Sequence, residues 1–345
     1  MTRIVSLVNL SPADATRIRD VAERVDLVEA GGYFEGEYGA TWPSPTIQRY
    51  VRGHGQGSRA ERDAILADAE IILGGFPYPL DLKSRAPALR WFHQTPAGAS
   101  NLRTGDLWGS ELLVTTSRGL GETTAIAEYT IAAMLYFTRT FDTAIADAHA
   151  GHFEYRSYAP QAVETKTICV IGAGGIGREV ARLSKALGMC VVGTRRSASG
   201  PLDDFDQIET PGALHSLLAQ SDVVAVCCQW TPETTNLLNS SAFAAMRPGA
   251  IMINVARGEI VDEAALLEAL DQGQLRGAAL DVYVGEFERL PPNSLWQHPR
   301  VLITPHTSGM TDRSRRRSTQ LFCENLVHYL DGRPLANTVD WDQGY

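Results

Sequence analysis

Positive charge is scarce in this sequence, and long apolar runs are missing from it. The chain has 31 lysines and arginines against 40 aspartates and glutamates, which gives a formal net charge of −9 at pH 7. Such a balance repels nucleic acids and anionic membrane surfaces. No apolar stretch approaches the roughly 18 residues that a membrane-spanning helix requires. We therefore expect neither a nucleic-acid partner nor a membrane partner.

Cysteine is also scarce, and an export signal is missing. Residues 1–10 alternate as a first strand does and lack the basic, apolar and small-residue regions of a secretion signal. We therefore expect a cytoplasmic location and no metal site. The cysteines lie in apolar contexts without metal-ligand spacing, and we interpret them as reduced and buried: Cys169, Cys190, Cys227, Cys228 and Cys323.

A glycine-rich turn near the middle of the chain predicts a nucleotide site. An apolar run at residues 167–171 leads directly into this turn, and residues 178–187 favour a helix after it. Gly172 allows a tight turn, Gly174 lets a pyrophosphate approach the backbone, and Gly177 lets the helix pack closely on the strand. The unpaired N–H groups of the helix N-terminus then bind phosphate. The predicted phosphate-binding residues are Gly172, Gly174, Gly175, Ile176 and Gly177.

The residues after the next strand indicate which dinucleotide binds. In NAD-binding sites an acid about 20 residues after the glycines binds the ribose hydroxyls. Here the strand at residues 189–193 is followed by Arg195 and Arg196, with no carboxylate before Asp203. Guanidinium groups make bidentate bonds to phosphate. We therefore expect NADP(H) to be preferred, with NAD(H) as the alternative if these arginines are merely solvated surface residues.

The length of 345 residues and the position of the glycine turn predict two domains. The final helix, residues 311–330, follows the second set of strands and is expected to return to the first domain. The sequence thus predicts an α/β fold of two parallel-sheet domains, Rossmann-like or flavodoxin-like, separated by an active-site cleft. Candidate strands before the turn are residues 3–10, 25–30, 71–74, 89–93 and 112–116; those after it are 189–193, 222–227, 250–254, 277–280 and 301–303.

One segment of the first half interrupts this pattern. Residues 31–58 contain seven glycines among aromatic residues and prolines. We predict an extended loop here, and its sequence assigns it no function. Long ordered loops are often functional.

Three polar residues follow successive strands of the second half. Arg257 follows the strand at 250–254, Glu286 follows the strand at 277–280, and His306 follows the strand at 301–303. Ligands of open parallel sheets bind at the carboxyl ends of the strands. A cation, an acid and an imidazole are therefore expected to converge near a bound nicotinamide.

This set matches the reversible reduction of a 2-keto acid, because the nicotinamide carries the hydride and the protein must supply binding and a proton. Arg257 would bind the substrate carboxylate and polarise its carbonyl. His306 would protonate the forming alkoxide. Glu286 would orient the imidazole and favour its charged form. Taken singly, each residue also has an ordinary structural interpretation on the surface or in a cleft.

These residues resemble the D-isomer-specific 2-hydroxyacid dehydrogenase family over nearly the whole chain. The resemblance implies that Arg257, Glu286 and His306 occupy the family's catalytic positions. It also implies that Val255, Ala256 and Asp281 contact the cofactor, with Asp281 at the nicotinamide amide. The segments that carry the resemblance are residues 119–128, 231–239, 254–258, 279–282 and 304–309.

The resemblance further implies a domain organisation and partners. Residues 1–118 and 309–345 would form the substrate-binding domain, and residues 119–308 the dinucleotide-binding domain, which usually mediates a homodimer. Loops containing Gly74, Gly75 and Gly98 would offer backbone N–H groups to the substrate carboxylate, although ordinary turns also use such glycines. The Arg195–Arg196 pair resembles the NADPH-preferring glyoxylate/hydroxypyruvate reductase branch.

Phe287 departs from the family pattern, since a proline commonly follows the glutamate. This departure bears on the identity of the substrate, a small 2-keto or 2-hydroxy acid. Two alternative functions stay open. One is a phosphite or formate type of dehydrogenase, although formate-type sites use glutamine where this chain has Glu286. The other is a nucleotide-sensing corepressor or scaffold that retains the fold and the cofactor.

Overall fold

The computed structural model describes residues 1–118, 123–196, 202–312 and 314–341. The segment 119–122, which begins one of the family-like motifs and the expected second domain, lies outside these residues. The chain divides into two compact units. The first unit comprises Met1–Glu122, Phe287–Arg289 and Thr311–Tyr345; the second comprises Thr123–Glu286 and Leu290–Met310.

The first unit is built on a five-stranded, fully parallel sheet in the order β2-β1-β3-β4-β5. This order is that of flavodoxin-like folds. Its strands are β1 (Thr2–Ser6), β2 (Val25–Glu29), β3 (Ile71–Gly74), β4 (Trp91–Gln94) and β5 (Leu113–Thr116). Its helices are α1 (Pro12–Arg19), α2 (Glu35–Tyr38), α3 (Ser44–Tyr50), α4 (Arg59–Ala67), α5 (Leu82–Arg85) and, at the end of the chain, α13 (Ser314–Leu330).

Alternation along these strands builds a core on each face of the first sheet. In β1, Ile4 packs on one face of the sheet, in an apolar cluster that includes residues of α13. Val5 packs in the apolar cluster on the other face. Trp91 and Phe92 of β4 divide between the same two clusters. Both faces of this sheet are therefore covered, as is usual for parallel sheets.

The second unit is built on a seven-stranded parallel sheet in the order β12-β11-β10-β9-β6-β7-β8. It has the doubly wound Rossmann arrangement, with the strand order reversing between β6 and β9. Its strands are β6 (Thr167–Ile171), β7 (Cys190–Thr194), β8 (Gln207–Glu209), β9 (Val223–Val226), β10 (Ala250–Asn254), β11 (Leu275–Leu280) and β12 (Val301–Ile303). Its helices are α6 (Thr123–Thr138), α7 (Phe141–Ala150), α8 (Gly175–Ala186), α9 (Leu214–Leu218), α10 (Ser240–Ala245), α11 (Glu263–Asp271) and α12 (Asn293–Trp296).

The predicted class of two parallel-sheet α/β domains is confirmed. The expectation of an extended loop at residues 31–58 was wrong in part, because this segment contains α2 and α3. The sequence patterns also missed α7 and the edge strand β8. Within the described part of the chain, every helix is too short or too polar to cross a lipid bilayer.

Candidate active site

The glycine turn joins β6 to α8 at the point where the strand order reverses. Gly172 has a φ of +100°, and a Cβ there would lie 2.6 Å from the backbone of Cys228, just beyond β9. A Cβ on Gly177 would lie 2.1 Å from the carbonyl oxygen of Gly172, so glycine alone lets α8 start this close to the turn. These contacts are the tight turn and the close helix packing that the sequence pattern implies.

Gly174 differs from these two glycines because a Cβ built on it meets nothing within 4 Å. It is the N-cap residue of α8 and makes no side-chain cap bond, and Gly175 and Ile176 are the first helical residues. The first N–H groups of a helix have no carbonyl partner within it. This helix N-terminus and the space beside Gly174 are what a pyrophosphate site requires, and binding there stays a prediction.

Arg195 and Arg196 directly follow β7 at the same edge of the sheet. The carbonyl oxygen of Thr194 accepts hydrogen bonds from Gly172 N at 3.1 Å and Ala173 N at 2.9 Å, so the glycine turn is tied to this strand end. Arg196 is exposed. The pKa of Glu233 is lowered, mainly by a hydrogen bond from Thr231. The positive charge of Arg196 also helps to lower this pKa. The side chains of Arg195 and Arg196 thus start from a strand end that is bonded to the predicted phosphate-binding turn.

Glu286 and His306 form a hydrogen-bonded pair. Nδ1 of His306 lies 3.0 Å from both Oε1 and Oε2 of Glu286. Glu286 is buried, and the His306 side chain is 28% exposed. Because Nδ1 faces the carboxylate, proton exchange with a reacting group would take place at Nε2. This orientation is the one expected of a general acid–base histidine.

Arg257 lies in a turn that follows β10, the strand next to β11. Asn254 ends β10 and fixes this turn: its Oδ1 accepts from Ala256 N at 3.0 Å, and its Nδ2 donates to Arg257 O at 2.8 Å. The guanidinium donates from Nη1 to Ala256 O at 2.6 Å. Val255 and Ala256 are buried within the turn.

The residue after Arg257 explains how its turn packs. A Cβ on Gly258 would lie 2.1 Å from the backbone carbon of Tyr283, three residues before Glu286. Only glycine allows the turn after β10 to lie this close to the segment after β11. The arginine and the Glu286–His306 pair therefore follow three adjacent parallel strands, β10, β11 and β12, at one edge of the sheet.

Comparison with known proteins places these features in one family. The family profile described as D-isomer specific 2-hydroxyacid dehydrogenase, NAD binding domain, matches residues 131–308. Glyoxylate reductase of Aeropyrum pernix is 33% identical over 282 residues, which cover 79% of this chain and 83% of that protein. The chain belongs to the D-isomer-specific 2-hydroxyacid dehydrogenase family.

Two further relatives of this family member are a curated protein and a solved structure. D-3-phosphoglycerate dehydrogenase of Archaeoglobus fulgidus is 34% identical over 283 residues, or 81% of this chain and 50% of that protein. The chain spans about half the length of the phosphoglycerate dehydrogenases that it matches. A family member from Xanthobacter autotrophicus Py2, solved with NADPH and MES, has a TM-score of 0.77 and 27% identity, and the match covers 100% of this chain and 99% of that one.

Asp281 has a role in this family member that its sequence did not reveal. Its buried carboxylate accepts hydrogen bonds from Thr304 Oγ1 at 2.6 Å, Thr307 N at 2.7 Å and Ser308 N at 2.9 Å. These three partners surround His306 in the chain. Asp281 therefore holds the loop that carries the histidine, whereas its predicted contact with the nicotinamide amide stays a prediction. The only sequence signal was an acid directly after a buried strand.

The glycines predicted to bind substrate in the first unit have packing reasons of their own. A Cβ on Gly74 would lie 2.4 Å from the Phe92 ring, and one on Gly75 would lie 2.7 Å from a methyl group of Val8. The carbonyl oxygen of Gly98 accepts a hydrogen bond of 2.6 Å from Gln94 Nε2. Packing against Phe92 and Val8 thus favours glycine at 74 and 75, and their role in binding a dehydrogenase substrate stays a prediction.

Proposed function

We propose that this chain catalyses the reversible reduction of a 2-keto acid to a D-2-hydroxy acid, with NADP(H) preferred over NAD(H) and with His306 as the acid–base group. The observation that carries the proposal is the placement of Nδ1 of His306 against both carboxylate oxygens of buried Glu286. A histidine held in this way can give up and regain a proton at Nε2 without reorienting.

Each residue then has a definite task. The bound nicotinamide supplies the hydride. Arg257 binds the substrate carboxylate and withdraws charge from the carbonyl oxygen. His306 donates its Nε2 proton to that oxygen in the reductive direction and recovers it in the oxidative direction. Glu286 accepts a hydrogen bond from Nδ1 of His306 and so orients the imidazole ring.

Two observations support the preference for NADP(H). Arg195 and Arg196 directly follow the strand end that is bonded to the glycine turn, and no acid occupies these positions. The relative from Xanthobacter autotrophicus Py2 was solved with NADPH. A 2′-phosphate beside two guanidinium groups gains charge-assisted hydrogen bonds that a ribose hydroxyl does not provide.

Steady-state kinetics test both parts of the proposal. Oxidation of NADPH and NADH is followed with glyoxylate, hydroxypyruvate, pyruvate and bulkier 2-keto acids. We expect faster reaction with NADPH. The double variant Arg195→Ala/Arg196→Ala should lower kcat/KM for NADPH about 10- to 100-fold, since a hydrogen bond to a charged group contributes about 1.5–3 kcal/mol, and should leave NADH nearly unaffected.

Matched variants complete this test. Arg182→Ala removes an exposed arginine of α8 that pairs with Glu179, and it should leave the cofactor preference unchanged. His306→Ala should abolish turnover while dinucleotide binding persists. Equal use of NADH by the unaltered protein would contradict the arginine argument, and near-normal turnover by His306→Ala would remove the proposed proton donor.

A homodimer is part of the same proposal, and α7 is the surface that supports it. None of the ten residues of α7 is buried against the described part of the chain. Phe141 and Ile145, one helical turn apart, are each more than half exposed, and Phe153 and Tyr155 nearby are almost fully exposed. Large exposed apolar patches on a monomer often mark interaction surfaces, and these four side chains come from one stretch of 15 residues. A second copy of the chain, as the family resemblance implies, would cover it.

Light scattering coupled to size-exclusion chromatography tests the dimer. Ile145→Asp should convert it to a folded monomer, because the introduced charge would have to be buried in the contact. Lys83→Asp, on the first unit, serves as the control and should leave the mass unchanged. A monomeric unaltered protein would contradict this part of the proposal.

A further inference from the structure

The segment at residues 31–58 is firmly attached to the first unit. Glu35 accepts a hydrogen bond from Gly53 N, and Gln56 N donates to Tyr33 O at 3.0 Å, which closes the segment on itself. Glu37 pairs with Arg62 at 3.0 Å and also with Arg85 of α5. These bonds join α2 to the stretch after α3 and to helices α4 and α5.

The segment contributes two rings to an aromatic group centred on Phe76. The Phe76 ring lies 5.0 Å from each of the rings of Trp42, Tyr50 and Phe287, with interplanar angles of 79°, 83° and 59°. Edge-to-face and tilted contacts at this distance are favourable. We call Trp42, Tyr50, Phe76 and Phe287 the Phe76 cluster.

The Phe76 cluster is joined in the chain to residues that the proposed function uses. Phe76 directly follows Gly74 and Gly75, the predicted carboxylate-binding loop. Phe287 directly follows Glu286, the partner of His306. The buried hydroxyl of Thr46, in α3, donates a hydrogen bond to the carbonyl oxygen of Phe287. The contact between the rings of Phe76 and Phe287 therefore joins the segment that carries the predicted carboxylate-binding loop to the segment that carries Glu286.

The exposure of the rings separates a binding role from simple core packing. Trp42 is buried and donates from its indole N–H to Tyr78 O at 2.7 Å, as a core residue does. Tyr50, Phe76 and Phe287 are only half-buried, so each of these residues keeps part of its surface uncovered. Phe287 places one of these rings directly after Glu286 in the chain.

We propose that the uncovered surfaces of Tyr50, Phe76 and Phe287 receive the side chain of the substrate, so that the enzyme prefers 2-keto acids with an apolar, ring-bearing side chain over glyoxylate. This inference rests on the proposed function. An aromatic substrate side chain removes its own apolar surface and that of the rings from water, a gain that glyoxylate, which has no side chain, does not have.

Kinetics with phenylpyruvate, pyruvate and glyoxylate test the inference in the presence of saturating NADPH. We expect kcat/KM for phenylpyruvate to exceed that for glyoxylate at least tenfold. Phe287→Ala and Tyr50→Ala should each lower kcat/KM for phenylpyruvate about tenfold and change that for glyoxylate less than twofold. Phe287→Leu, which keeps an apolar surface, should recover part of the loss. Trp296→Ala, which removes an exposed aromatic residue of α12, is the control and should change neither value.

Equal losses for all substrates would show that the Phe76 cluster only supports the fold, and a preference for glyoxylate in the unaltered protein would also overturn the inference.

Calorimetric binding of phenylpyruvate to the protein saturated with NADP+ gives a readout that does not depend on turnover. If no 2-keto acid reacts, the proposed function fails. In that case tight phenylpyruvate binding that Phe287→Ala weakens tenfold would still support the aromatic surface, and absent binding would overturn it.

Discussion

The carboxylate of Asp281 accepts a hydrogen bond of 2.7 Å from the backbone N–H of Thr307, the residue directly after His306. His306 has a φ of +56°, in the left-handed region that costs a residue other than glycine about 1–3 kcal/mol. The backbone N–H of His306 also donates to the carbonyl oxygen of Asp281 at 2.9 Å. Asp281 therefore offsets the cost of the conformation that aims the histidine at Glu286.

Replacing Asp281 separates this holding role from a cofactor contact. Asp281→Asn keeps the size of the side chain but places an amide N–H₂ where the loop already supplies donors. We expect kcat to fall at least tenfold, because charge-assisted hydrogen bonds of about 1.5–3 kcal/mol are lost, while the Kd for NADP+ changes little. Kinetics and dinucleotide titration measure the two effects. Asp20→Asn, at an exposed position, is the control, and a large rise in Kd with unchanged kcat would favour the cofactor contact instead.

The Glu286–His306 pair predicts that the carboxylate positions the imidazole for catalysis. Glu286→Gln keeps the size of the side chain, but one of the two acceptor oxygens that lie 3.0 Å from Nδ1 becomes an N–H₂ donor. We expect kcat/KM for reduction to fall about tenfold, because a hydrogen bond to a charged group contributes about 1.5–3 kcal/mol, while the Kd for NADP+ changes little. Steady-state kinetics and dinucleotide titration measure the two effects. Unaltered turnover by Glu286→Gln would contradict the positioning role of Glu286.

The two glycines at the start of α8 predict different effects of the same substitution. A Cβ on Gly177 would collide with the carbonyl oxygen of Gly172, whereas a Cβ on Gly174 would meet open space. Gly177→Ala should therefore lower the free energy of unfolding by about 1–3 kcal/mol, as overpacking does, and weaken dinucleotide binding as well. Gly174→Ala should leave stability nearly unchanged and weaken binding alone, because its methyl group enters the space that a pyrophosphate would use.

Denaturant unfolding and dinucleotide titration measure this contrast. Gly212→Ala, where a Cβ also meets nothing within 4 Å, is the control for alanine substitution and should affect neither property. Unaltered binding by Gly174→Ala would exclude this turn as the phosphate site.

His93 predicts how the stability of the protein changes in acid. Its ring is fully buried, with Nδ1 2.8 Å from Thr115 Oγ1, an oxygen that also accepts from Trp91 Nε1 at 2.9 Å. Burial lowers the pKa of His93 from 6.5 to about 3. Between these two pH values His93 is therefore protonated in the unfolded chain and neutral in the folded chain. The stability that His93 contributes is present above pH 6.5 and is lost as the pH falls from there towards 3.

The variant His93→Gln isolates this contribution. Between pH 7 and pH 5 the unaltered protein should lose about 2 kcal/mol more of its free energy of unfolding than His93→Gln does. Urea unfolding at the two pH values measures the difference. His215→Gln replaces an exposed histidine and should behave like the unaltered protein. Parallel losses in all three proteins would show that His93 titrates normally in the folded state.

The periodic parts of the chain could be predicted well because local physics determines them. Strands β3, β10 and β12 have the predicted ends, since apolar runs bounded by glycine, proline or charged residues leave few other choices. The candidate residues Arg257, Glu286 and His306 could also be proposed from sequence, because each lies three to six residues after a strand of one parallel sheet, and their catalytic roles stay predictions.

Other elements could not be predicted because their stability comes from distant partners. Helices α2 and α3 lie in a stretch rich in glycine, and Glu37 fixes this region through arginines that come 25 and 48 residues later. Helix α7 buries no residue against the described chain. Its apolar residues therefore do not form the buried face by which a helix is predicted from sequence. Edge strand β8 has only three residues and pairs along one side.

The sequence by itself determined that two parallel sheets form, that a glycine turn follows β6, and which strand ends carry an arginine, a glutamate and a histidine. Those features depend on apolar periodicity and on residue types at neighbouring positions. Only the tertiary structure decided that His306 turns Nδ1 onto Glu286, that Asp281 holds the histidine loop, and that Phe287 lies against Phe76. These contacts join residues that are 20, 26 and 211 positions apart, and no local pattern specifies a distance across such separations.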